Sequence, residues 1–127
     1  MNIIKLLNAG SVLNQFGQVK VSSKLAYKIM KFYKCIAVEE EFYNMKRNEI
    51  IQEYAVKDEN GQVIADERGM VKIAPDMVAK ANAAMQELNA LEVEAPNVRF
   101  TLAELEGLEV SAADMFALDD FIDEEGA

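Results

Sequence analysis

Between Ser23 and Val56 the chain contains neither proline nor glycine, and its apolar residues fall on one helical stripe. Leu25, Ile29, Phe32 and Ile36 are spaced +4, +3, +4, and the stripe resumes at Tyr43, Ile50 and Tyr54 after passing Glu39 and Lys46 at the intervening register. The spacing predicts a helix over about 23–56, capped by Ser22 or Ser23. At 1.5 Å per residue such a helix is roughly 50 Å long, more than the width of a compact globule of this size, so it either projects or forms half of a hairpin. A second stripe, Val78, Ala81, Met85 and Leu88 at +3, +4, +3, predicts a helix over about 75–91 that starts with Pro75 in its first turn and Asp76 beside the positive end of the dipole. The two stripes match, so the helices are expected to pack antiparallel.

Between them lie two turn signals, Asp58-Glu59-Asn60-Gly61 and Asp66-Glu67-Arg68-Gly69. The β-rich runs 62–65 and 70–73 flank the second, which predicts a small β-hairpin at about 62–73, at the tip of the helical pair. Residues 2–6 alternate loosely and read as a short edge strand. Leu6, Leu7, Val12, Leu13 and Phe16 then predict a short helix, weakened by Gly10 and stopped near Gly17, before the extended link Val19-Lys20-Val21. After Glu94-Ala95-Pro96-Asn97, Val98-Arg99-Phe100 reads as a strand available to residues 2–6. Thr101 with Glu104 and Ser111 with Asp114 have capping-box spacing, and the second opens a helix with Met115, Leu118, Phe121 and Ile122 on one side. No internal repeat is apparent. The expected fold is mainly α (α+β): a single domain over 1–127, with a helical hairpin at 22–91, a base from 1–21 and 97–122, and an acidic tail at 123–127.

Composition narrows the chemistry. The 127 residues are 51% hydrophobic and 28% charged, and they include no histidine and one cysteine. The absence of histidine removes Ser-His-Asp and Cys-His nucleophile systems, the usual zinc ligand and the usual general base near neutral pH. One cysteine cannot close an intramolecular disulfide, no apolar run approaches the roughly 20 residues of a membrane span, and the start lacks the pattern of a signal peptide. A cytoplasmic setting, no cofactor and no metal are therefore expected, and catalysis is not. The net charge of −9 is uneven: residues 1–57 carry nine Lys and Arg against five Glu (+4), and residues 58–127 carry four against seventeen Asp and Glu (−13). The two halves either neutralise one another or leave the acidic half for a basic partner.

Each candidate site has a plainer reading beside it. Asp58-Glu59-Asn60-Gly61 has its glycine at the fourth position, where a calcium loop needs it at the sixth, so turn chemistry is the better account. Glu39-Glu40-Glu41 is expected to pair with Lys34, Lys46 or Arg47 along or across the helix. Asp119, Asp120, Asp123 and Glu124, with Phe121 among them, cluster near a helix C-terminus that disfavours negative charge, which makes them candidates for a partner surface as well as a solvated tail. Lys20, Lys24, Lys28, Lys31 and Lys34 form a basic row at helical spacing, a second candidate surface, of which Lys24, Lys28 and Lys31 are the central members. The overall negative charge opposes direct contact with nucleic acid, so docking against the acidic second half, or against an acidic protein, suits the row better. Cys35 beside the stripe is expected to be a small buried hydrophobe, and the seven methionines to be core filler.

The layout as a whole resembles a family of small proteins from tailed phages and prophages of Gram-positive bacteria. The resemblance lies in the leucine-rich start (Leu6, Leu7, Leu13), in Val19-Lys20-Val21 leading to Lys24-Leu25-Ala26-Tyr27-Lys28-Ile29, and in the long Glu/Lys helix. It continues through Tyr54-Ala55 before Lys57-Asp58-Glu59-Asn60-Gly61 to Leu105-Glu106-Gly107-Leu108-Glu109-Val110-Ser111-Ala112-Ala113-Asp114-Met115, then Leu118 and Phe121-Ile122. It covers nearly the whole chain and implies a phage setting without implying a mechanism. The expectation is a non-enzymatic module that binds a phage or host protein, or a second copy of itself through apolar flanks such as Phe42, Met45 and Ile51, with no membrane partner. The alternative is an acidic mimic of nucleic acid that presents carboxylates of residues 104–125 to a DNA-binding host enzyme.

Overall fold

In the computed structural model, which describes residues 1–123, the chain is mainly helical. Two compact units divide it: Met1–Glu40 with the segment from Glu92 onward, and Glu41–Leu91. The long helix contributes its first part to one unit and its second part to the other.

The first unit is built on α1 (Ile3–Gly17) and the beginning of α2 (Ser23–Tyr54). Residues 2–6 do not form a strand. The side chain of Asn2 accepts a hydrogen bond from the Lys5 N–H and caps α1, while Ile3, Leu6, Leu13 and Phe16 recur at helical spacing on one buried face. Gly10 lies inside α1, which continues through it to Gly17. A Cβ there would lie 2.7 Å from the Ile36 side chain, so the glycine allows the two helices to approach closely, and Tyr33 Oη donates to the Gly10 carbonyl at 3.0 Å. Ser22 is the cap of α2: its hydroxyl accepts from the Leu25 N–H at 3.2 Å.

The stripe Leu25, Ile29, Phe32 and Ile36 is buried, but its cover differs from the one expected. It packs against α1 and against Val98, Phe100, Leu105, Leu118 and Phe121, not against the second apolar stripe. The physical reason is length. α3 (Val78–Asn89), which follows a 3-10 turn at Pro75–Met77, has 12 residues against 32 in α2, roughly 18 Å against 48 Å, and cannot cover the whole seam. Phe32 is the centre of this core, with Phe121 in an edge-to-face arrangement at 4.9 Å and Phe100 at 6.5 Å.

The strand expected at Val98-Arg99-Phe100 starts later and has a different partner. β1 (Phe100–Thr101) pairs in parallel with β2 (Ile122–Asp123), and Asn2 instead makes an antiparallel bridge to Glu92. Both capping boxes form, opening α4 (Leu102–Leu105) at Thr101 and α5 (Ala112–Leu118) at Ser111.

The second unit contains the end of α2, three short extended segments and α3. The segments are not one hairpin. Lys57 bridges Val63, Ala65 bridges Val71 and Ala55 bridges Ile73, all antiparallel, and the backbone hydrogen bonds close a cycle. Val56 N–H donates to Lys72, Lys72 N–H to Ile64 and Ile64 N–H to Val56, at 2.8 to 2.9 Å. Although no internal repeat is apparent at longer periods, an eight-residue repeat underlies this closure: Asp58-x-x-Gly61-x-Val63, then Asp66-x-x-Gly69-x-Val71. In each copy the aspartate Oδ1 accepts from the backbone N–H groups two and four residues on, and the glycine takes φ of +77° or +78°. The repeat is short and its first strand, at the end of a helix, has no turn of its own, which hides it from a reading by longer periods.

Candidate functional site

The acidic and basic candidates separate once their surroundings are known. Phe121 is fully buried against Phe32, so it belongs to the core and cannot meet a partner. Phe116, off the buried side of α5, is the exposed aromatic there, 83% accessible. Asp120 is held by Lys5 at 2.6 Å, and its backbone carbonyl accepts from the Arg99 guanidinium. The hydrogen bond from Lys5 to the Asp120 carboxylate and the negative charge of Asp120 raise the Lys5 ammonium above its ordinary value, with Asp119 adding to the effect. Asp119 and Asp123 are exposed, and Glu124 lies outside the described residues.

The lysine row likewise divides. Lys28 is half-buried; its ammonium donates to Glu104 Oε1 at 2.6 Å and to the Arg99 carbonyl at 2.8 Å. Burial alone would push the Glu104 carboxyl up. The Lys28 hydrogen bond, the Thr101 N–H, the Lys28 charge and the Thr101 hydroxyl outweigh it, and the carboxyl is held below its ordinary value. Lys28 and Glu104 therefore join the basic first half of the chain to the acidic second half. Lys24, Lys31 and Lys34 are exposed, and among the described residues no ion pair holds them. Lys31 lies 5.5 Å from the Tyr27 ring. Cys35 is exposed, not buried: it sits one position before Ile36, off the seam.

Asp58 Oδ1 is occupied by the backbone of its own turn, as is Asp66 Oδ1. Among the described residues no group of three or more Cys, Asp or Glu side chains converges as a cation cage requires. No helix among them is long and apolar enough to cross a membrane.

Surface grooves occur in both units. In the first unit Val19, Val21, Met30 and Tyr33 form an apolar hollow with Lys20 and Lys34 at its edge. Burial, with Glu40 nearby, raises the Tyr33 hydroxyl above its ordinary value. In the second unit the end of α2 and α3 line a groove of about 280 Å³. Tyr43 is buried beneath the pair and its hydroxyl donates to Asn89 Oδ1 at 2.7 Å. The groove has an apolar floor of Phe42, Ile50, Leu88 and Leu91. Glu49, Glu53 and Glu87 stand on its rim, and Lys46, on the same rim, pairs with Glu49 at 3.2 Å. Phe42 was legible as an apolar flank of the helix; Leu91 and the glutamate rim were not, because they are assembled from two distant segments. No family model matches the chain, and no curated protein or solved structure matches it.

Proposed function

We propose that this chain is a non-enzymatic protein-interaction module of a tailed phage or prophage: an assembly accessory, a minor virion component or a modulator of a host system, working in the bacterial cytoplasm or in the virion. In that reading residues 41–91 act as a helical hairpin with a β triad at its end. The observation that carries the reading is the groove of residues 41–91, where large apolar side chains stay accessible between two helices inside an acidic rim. Such a groove is the usual seat of an amphipathic helix. The phage setting rests on the resemblance of layout alone.

The nucleic-acid mimic has less support. Glu104 is held by Lys28, Asp120 by Lys5, and Asp114 closes the Ser111 cap, which leaves no continuous carboxylate ladder over the described part of residues 104–125. Affinity capture of the chain from infected or lysogenic cells, with light scattering on the purified protein, tests the reading. A reproducible protein partner or a defined oligomer is expected. A monomer that captures nothing contradicts it, and capture of a nuclease or polymerase that added DNA displaces puts the mimic in its place.

A further inference from the structure

We infer that the acidic groove of residues 41–91 receives the basic face of α2 from a second copy of this chain. This rests on the interaction reading and names its partner. Tyr27, Lys31, Lys34 and Val38 are spaced +4, +3, +4 on α2. At 100° per residue they lie opposite the buried seam Leu25, Ile29, Phe32 and Ile36. Tyr27 is 58% and Val38 73% accessible, so nothing among the described residues covers this face. It has the heptad arrangement of an interhelical seam, apolar at its ends and cationic between them.

The groove is its complement in three respects. It is apolar along its floor where the stripe offers Tyr27 and Val38. It is anionic at its rim, where Glu53 and Glu87 have no ion pair among the described residues, as Lys31 and Lys34 have none. It also matches in length: the stripe from Tyr27 to Val38 and the α2 wall from Phe42 to Glu53 each cover eleven residue steps, roughly 16 Å. Two copies of a chain with net charge −9 repel at long range. At physiological salt that repulsion is screened within about 8 Å, so the local match of sign decides the contact.

Sedimentation velocity over a range of concentrations tests the inference, on the wild-type chain and on two doubly reversed variants, Lys31→Glu/Lys34→Glu and Glu53→Lys/Glu87→Lys. All four positions are on the surface, and far-UV circular dichroism checks that each variant keeps its helix content. The wild type is expected to self-associate. Each reversed variant alone is expected to associate about tenfold more weakly or less, because like charges then face one another, and an equimolar mixture of the two is expected to recover association. The two variants shift net charge in opposite directions, so an effect of overall charge would weaken one and strengthen the other, which overturns the inference. A wild type that stays monomeric, or one whose association neither variant changes, also overturns it. A monomeric chain that still captures a phage or host protein leaves the interaction reading standing and removes only the second copy.

Discussion

The two units differ in how they hold their side chains. Nearly every fully buried apolar residue, from Ile3 and Leu6 through Phe32 to Phe100, Leu118 and Phe121, belongs to the first. In the second, only Tyr43, Ala81 and Leu88 are buried, and Met45, Met70 and Leu91 remain accessible. The first unit therefore has the larger buried core, and the second combines half-buried side chains such as Ile50, Ile64 and Ile73 with hydrogen bonds: the Tyr43–Asn89 contact, the cyclic backbone triad and two aspartate turns. Segments with few buried apolar contacts open at lower free energy than a packed core. They also keep apolar surface free for a partner.

Substitutions test this division, beginning with the strongest. Phe32→Ala removes the ring shared by Phe100 and Phe121 and is expected to cost about 3–5 kcal/mol, read as a loss of cooperative unfolding stability in denaturant. Glu104→Gln leaves Lys28 without its counter-charge and is expected to cost about 1–3 kcal/mol at neutral pH. The sign of the pH dependence follows from the lowered carboxyl. Its contribution is present above the ordinary carboxylate value and is lost as pH falls through the lower folded value, so the variant should show a flatter acid limb than the wild type. Gly69→Ala forces an L side chain to φ +78° and is expected to cost roughly 1–2 kcal/mol of local stability in residues 55–73. Tyr43→Phe removes the hydrogen bond to Asn89 and is expected to cost about 1 kcal/mol, seen as faster amide exchange in residues 41–91 and unchanged exchange in α1. Gly10→Ala is expected to change stability by less than about 1 kcal/mol, since the gain in helix propensity offsets the shift demanded of Ile36.

The same contrast explains what was legible in the sequence. Local signals read well: the helix over most of 23–56, the helix after Pro75, both capping boxes and both aspartate turns depend on residues within four positions of one another. Long-range pairing did not. The cover over Leu25–Ile36 comes from α1 and from residues near 100 and 120, and an apolar stripe states that a face is buried without stating by what. Residues 2–6 misled because three apolar residues in five fit a strand as well as a first helical turn; the cap at Asn2 decided it. Of the candidate site residues, Asp119, Asp123, Lys24 and Lys31 are exposed, whereas Asp120 and Lys28 hold the two halves of the chain together and Phe121 is core. Those roles depend on partners about 70 to 115 residues away in the chain, which charge counting alone does not supply.

Residue-resolved hydrogen exchange on the purified chain, at dilute and at concentrated protein, is the sharpest test that the groove of residues 41–91 receives a second copy of the chain. Added protection with concentration is expected at 42–53 and 84–91 together with 27–38, with no change in α1. Equal exchange at both concentrations, or new protection confined to α1 and residues 98–121, would contradict it.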